Sequence, residues 1–177
     1  MMHNTLGREI FVACWMISLA CGQTILAKVT VCEVMADPLK YDGKMILLQG
    51  EISATDEGGW LIAGACPIPF VTGDHVWPNS IFLQGDPTDK HNLHPVAFAF
   101  DYASEQRASA TAKRLNQKYS GKKLRWTYVG LLETRRDWAP FLARYPNGSS
   151  RYIGFGHLSE APAQLIVKAV QDVSLAP

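Results

Sequence analysis

Beyond residue 27, only one stretch of this chain carries a helical period. Ala108, Ala112, Leu115 and Tyr119 recur at helical spacing within 104–119, no Gly or Pro interrupts them, and Gly121 stands just past the end. Strand-like runs lie on both sides of it. A chain with one such helix between two groups of strands is confined to a mainly β fold in which that helix must find a place.

Before the helix, residues 45–54 (MILLQGEISA) read as a long strand, and Gly50 in its middle marks a bulge or sharp bend. Glu57-Gly58-Gly59 is a hairpin-type turn leading to a second strand at 60–63, and 80–84 (SIFLQ) makes a third. After the helix, 124–133 and 163–173 return to strand character. Shorter apolar runs at 96–100 and 151–155 are expected to add strands, whereas 64–79, 85–95 and 137–150 read as loops rich in Pro, Gly or polar residues. Residues 29–35 fit either a short helix or an edge strand, stopped at Asp37 because Pro38 holds that residue extended. Three strands, a helix and further strands are the order of a five-stranded OB-fold barrel, whose helix lies between its third and fourth strands. The expectation is therefore mainly β with one α-helix, an OB-fold-like five-stranded barrel with added strands and loops. A β-sandwich is the competitor, but it has no natural place for the helix.

The N-terminus reads as an address. Arg8 precedes an apolar run at 10–20 (IFVACWMISLA), which matches the core of an export signal and falls short of the roughly 20 residues needed to span a bilayer. Cleavage after Ala27 divides the chain into a signal at 1–27 and one domain at 28–177, with no transmembrane helix in the mature part. An earlier cut would leave Cys21 first, and Ser18-Leu19-Ala20-Cys21 resembles a lipoprotein box apart from Ser18, so a membrane-anchored lipoprotein is the alternative. The mature chain then holds two cysteines, Cys32 and Cys66, and a periplasmic or secreted location makes a disulfide between them the expected state.

Two runs also resemble known sequences. Residues 31–44 (VCEVMADPLKYDGK), together with Gly154-Phe155-Gly156-His157-Leu158 and Ala161-Pro162-Ala163-Gln164-Leu165, are similar to uncharacterised exported bacterial proteins. The first run also resembles the opening of exported OB-fold proteins, in which Tyr-x-Gly-Lys introduces the first barrel strand. The resemblance implies a fold and a compartment. It carries no reaction and no catalytic residues.

The chemistry is sparser. His91 and His94 are three apart, but nothing nearby completes a zinc site. Phosphate loops and a G-x-S-x-G nucleophile elbow are absent. No cofactor is implied. In Gly154-Phe155-Gly156-His157 the glycines permit a close turn from which His157 could project as a proton-transfer group, with a turn that ties down a carbonyl as the plainer reading. Trp60, Trp77 and the loop between Cys66 and Trp77 are first candidates for a ligand surface, since OB barrels commonly bind on the face of their second and third strands. The expected function is a non-catalytic binding or scaffold module of the bacterial envelope, with an envelope hydrolase built around His157 as the alternative.

Formal charge is only +1, from seventeen Lys and Arg against sixteen Asp and Glu, which excludes a broad nucleic-acid footprint. The cations are nonetheless uneven. Lys113, Arg114, Lys118, Lys122, Lys123 and Arg125 follow one another without an acid, next to Trp126 and Tyr128. Export argues against nucleic acid as their partner and favours an anionic lipid or polysaccharide surface, with a solvated face as the plainer reading.

Overall fold

Apolar residues at alternate positions pair as strands, and the pairing closes on itself. The computed structural model describes residues 26–56 and 58–176. In chain order these form β1 (Ala27–Thr30), α1 (Val31–Ala36), a 3-10 turn (Pro38–Lys40), β2 (Met45–Thr55), β3 (Gly58–Ile62), β4 (Val71–Thr72), β5 (His75–Val76) and β6 (Ser80–Gln84). Then come α2 (Tyr102–Lys118), β7 (Leu124–Thr134), a second 3-10 turn (Ala139–Phe141), β8 (Leu142–Arg144), β9 (Ser150–Tyr152) and β10 (Ala163–Leu175). The apolar run at 10–20, and with it Cys21, lies outside the described residues. Among the described residues no helix is long and apolar enough to cross a membrane.

The mainly β expectation holds. Five strands form a closed ring in the order β2, β3, β6, β10, β7, with β7 returning to β2. Neighbours are antiparallel except β6 and β10, which run parallel. β1 lies parallel to the first half of β2. Ile46, Leu48, Leu61, Ile81, Leu132 and Leu165 point into the ring and are fully buried. Two bulges in β10, at Val167/Ala169 and Val170/Asp172, restore the inward phase so that Val167, Val170 and Val173 all stay buried.

Gly50 marks the place where β2 changes partners. β2 pairs with β7 as far as Gly50 opposite Trp126, and with β3 from Glu51 opposite Ile62 onward. A Cβ on Gly50 would stand 3.0 Å from Val31 Cγ2 and from the Ile62 carbonyl oxygen, so the bend and the seating of α1 both depend on the missing side chain.

Residues 29–35 prove to be strand and helix in succession, divided at Thr30. Thr30 Oγ1 accepts from the Glu33 N–H at 3.2 Å and Glu33 Oε2 accepts from the Thr30 N–H at 2.7 Å, a reciprocal cap that starts α1. The described residues therefore hold two α-helices rather than one. Cys32 on α1 is joined to Cys66, beyond the end of β3, with Cα atoms 5.2 Å apart.

Three local expectations are corrected. Residues 96–100 form no strand, although β10 has no strand partner on its β6 side beyond Ile166; they lead as irregular chain into α2 and meet β10 where the Asp101 N–H donates to the Lys168 carbonyl at 2.8 Å, beside the first bulge. The strand expected at 151–155 ends at Tyr152 and pairs with β8 in a separate hairpin. The 64–79 loop contains its own small hairpin, β4 against β5, turning at Gly73 with φ 59°. α2 is capped by Asp101, whose carboxylate accepts from the Ser104 N–H at 3.0 Å. Its inward residues are Ser104, Ala108 and Ala112, and the Ser104 hydroxyl accepts from the Val170 N–H of β10 at 2.9 Å.

Candidate functional site

Trp60 and Phe82 are outward-facing partners on β3 and β6, with ring centroids 5.8 Å apart in an edge arrangement. The chain's own Gly154-Phe155-Gly156-His157 turn lies against Phe82. A Cβ on Gly156, whose φ is 83°, would stand 2.7 Å from Phe82 Cδ2, and one on Gly154 would stand 2.8 Å from Trp77 and collide with the Ala161 carbonyl. Both glycines thus admit aromatic rings against the backbone. Trp77 is buried, packs on Trp138 at 4.6 Å, and donates its Nε1–H to Thr72 Oγ1 at 2.8 Å. The His157 side chain is exposed. Trp60 is half-buried on the outer face of β3, Trp77 lies in the core and His157 is exposed, and the cleft lined by Trp77 takes in neither of the other two.

A cleft of about 710 Å³ opens elsewhere, at one end of the ring. Each ring strand contributes one inward-facing residue to its floor: Ile52 from β2, Gly59 from β3, Leu83 from β6, Tyr128 from β7 and Val167 from β10. Its wall comes from Gly85, Asp86 and Pro87 and from the approach to α2, with Ala99, Phe100, Tyr102 and Glu105. α2 reaches this cleft through its first turn, with Tyr102 and Glu105, while its small inward residues Ser104, Ala108 and Ala112 are not among the lining. The lining is largely apolar. Burial pushes the Tyr128 phenol above its usual range, and the charge of Glu105 pushes it in the same direction.

A second group of residues forms a buried polar seam beside the ring. Glu133, wholly buried on β7, accepts from the His94 backbone N–H at 2.6 Å and from Gln164 Nε2 at 2.7 Å. Asp42 accepts from the Thr134 N–H at 3.1 Å and from Arg136 Nε at 3.3 Å, and it contacts His94 Nε2 at 3.1 Å. Burial by itself would raise the Asp42 carboxyl, but the Thr134 N–H, His94 and Arg136 together hold it below the usual carboxylate range. Arg135 is inserted among rings, its guanidinium carbon 3.6 Å from the Phe141 centroid and 4.6 Å from that of Phe155, and burial lowers its pKa. This seam lines a smaller cleft of about 340 Å³ and pins the segment between β6 and α2 to the sheet. His94 is therefore partly buried and engaged, and His91 contacts Asp89 at 2.8 Å. Among the described residues no group of His, Cys, Asp and Glu is placed to hold a metal ion.

The basic run divides between helix and strand. Lys122, Lys123 and Trp126 share a cleft of about 310 Å³ with Glu51, and Lys123 pairs with that carboxylate at 2.7 Å. Lys113, Arg114 and Lys118 are exposed on α2, where Arg114 donates to Thr111 Oγ1 and Lys118 lies over the Tyr119 ring. Sequence reasoning missed the residues of the ring-end cleft. Its lining is drawn from five strands, the 85–87 turn and the start of α2, and no local pattern in the sequence joins them. Comparison with protein-family models, curated proteins and solved structures finds no match for the chain.

Proposed function

We propose that this chain is an exported, non-catalytic binding module of the bacterial envelope, built on an OB-type barrel, that takes a small apolar ligand at the end of its strand ring. Support for the barrel comes from the ring order, the parallel β6–β10 pair and the position of α2 between the third and fourth ring strands. Support for export comes from the Cys32–Cys66 disulfide and the N-terminal apolar run. The observation that carries the binding reading is the cleft itself, of about 710 Å³ and floored by every strand of the ring. Small-molecule sites are mainly apolar hollows of this size with a few polar groups on the wall. On the alternative surface, the outer face of β3 and β6, Phe82 is covered by the turn around Gly156.

A neutral apolar fluorophore, N-phenyl-1-naphthylamine, tests this reading. It should bind saturably at one site and lose that site in Gly59→Leu, whose Cβ would meet only Leu83 at 3.7 Å while the rest of the side chain fills the cleft. Trp60→Phe should leave the titration unchanged. Dye binding that survives Gly59→Leu, or that disappears with Trp60→Phe, would overturn the assignment.

A further inference from the structure

The charge and aromatic content of the same cleft point to a class of ligand. We propose that the ring-end cleft recognises an apolar molecule carrying a permanent positive charge, specifically an alkylated ammonium group. This rests on the cleft being the binding site.

Asp86 and Glu105 are the only charged side chains among the lining residues, and both are acids. Three of the other lining residues are aromatic. Phe100 and Tyr102 meet edge to face with centroids 4.8 Å apart, and Tyr128 lies on the floor. An aromatic ring presents a negative face, so several rings beside a carboxylate favour a cation over a neutral molecule of the same shape. The field of Glu105 reaches the floor, since its charge contributes to the raised pKa of the Tyr128 phenol. The positive end of α2 does not reverse the sign. Asp101 caps it through the Ser104 N–H at 3.0 Å, and Glu105 sits in its first turn. Arg107, the nearest base on that turn, is paired with Asp101 at 3.6 Å and is not among the lining residues.

The apolar lining also selects the kind of cation. A primary ammonium brings three N–H donors, each needing an acceptor once water is removed. A quaternary ammonium brings none, is more weakly hydrated, and spreads its charge over methyl groups that suit ring faces. The two carboxylates at the rim then balance its charge at longer range.

Three probes of nearly one shape test the inference by calorimetric titration of the purified protein: benzyltrimethylammonium, its neutral carbon isostere neopentylbenzene, and the anion phenylmethanesulfonate. The cation should bind at least about tenfold more tightly than either counterpart. The double variant Asp86→Asn, Glu105→Gln changes two exposed side chains, so circular dichroism should be unaltered while the preference for the cation falls to within about threefold of the neutral probe. Gly59→Leu should abolish binding of all three. Equal binding of cation and neutral isostere, both lost in Gly59→Leu, would overturn the charge preference and leave the site standing. Cation binding that persists in Gly59→Leu would overturn both. A preference unchanged in the double variant would overturn the role of the two acids, and with it this proposal.

Discussion

His94 Nε2 lies 3.1 Å from Asp42 Oδ1, a contact across 52 residues that ties the segment entering α2 to the turn that opens β2. The same carboxylate receives the Thr134 N–H and Arg136 Nε. Three elements therefore meet on one buried acid, whose cost of burial is offset only while it stays ionised and fully hydrogen-bonded. The evident work of His94 and Asp42 is to hold the loop between β6 and α2 in register with the ring.

That arrangement predicts a pH dependence of definite sign. The folded Asp42 carboxyl titrates below its unfolded value, so its contribution to stability is complete above the unfolded pKa near about 4 and disappears as pH falls through the lower folded value. Asp42→Asn should lower stability at neutral pH by about 2 kcal/mol and flatten the fall in stability between about pH 5 and pH 2. Urea melts of both proteins across that range check it. Parallel acid profiles for the two would mean that Asp42 carries no linkage.

Glu133 offers a sharper test of buried polar pairing. Both of its oxygens accept, one from the His94 backbone and one from Gln164. Glu133→Leu removes both acceptors and leaves the His94 N–H and the Gln164 amide unpartnered there, in a site without solvent, whereas Glu133→Gln keeps both contacts once the Gln164 amide turns over to present its oxygen. A loss of about 2–3 kcal/mol in denaturant melts is expected for Glu133→Leu, and Glu133→Gln should retain most of that stability. Equal losses in the two variants would count against this pairing as the source of the stability.

The two glycines of the 154–157 turn should be unequal to most surface glycines. Gly154→Ala places a methyl group against the Ala161 carbonyl and the Trp77 ring, and Gly156→Ala places one against Phe82 at positive φ. Each should cost more than about 2 kcal/mol. Gly148→Ala is the control, since its φ is 82° but nothing stands within 4 Å of the added methyl, and only the smaller backbone cost of about 1 kcal/mol remains. Equal melting temperatures for the three variants would remove the packing explanation.

What could be read from the chain follows a physical division. Strand order and the helix were legible because alternation and the 104–119 period are local signals, and Cys32 with Cys66 was legible because the expected signal at 1–27 takes in the other two of the four cysteines. α1 carried its own signal in Thr30-Val31-Cys32-Glu33, a reciprocal cap followed by apolar Val34 and Met35. The absence of a strand at 96–100 was not legible, since nothing in that apolar run tells a strand from the irregular chain that leads into α2. Trp77 and Gly154 give a similar lesson: nothing local says that an aromatic ring will press on a glycine 77 positions later in the chain. The ring-end cleft was least legible of all, because it is made of what five strands and a helix fail to fill.

Reduction of the disulfide gives a prediction independent of any ligand. Cys32 and Cys66 are 34 residues apart, and opening that loop should cost about 4 kcal/mol in the chain-entropy model. The double variant Cys32→Ser, Cys66→Ser should show this loss in equilibrium melts without a change in far-ultraviolet circular dichroism at low denaturant. A loss under about 1 kcal/mol would show that the reduced chain keeps the two segments together without the bond.

The basic run supplies the last test. Lys122 and Lys123 flank Trp126 in one cleft, while Lys118 is exposed on the last turn of α2. Several positive charges can therefore face one anionic partner across Gly121, even though Lys113 and Arg114 lie farther back along the helix. Exposed charges attract over a range of only about 8 Å at physiological salt, so binding to vesicles with an anionic lipid fraction should weaken steeply between low and high salt. Replacing Lys118, Lys122 and Lys123 by Gln should abolish that binding. It should also remove the Lys123–Glu51 pair, but both of those side chains keep contact with solvent and such pairs contribute little. The melting temperature should accordingly move by no more than about 3 °C. Vesicle binding that ignores both salt and the three substitutions, or that is absent in the native protein at low salt, would reduce the run to a solvated face.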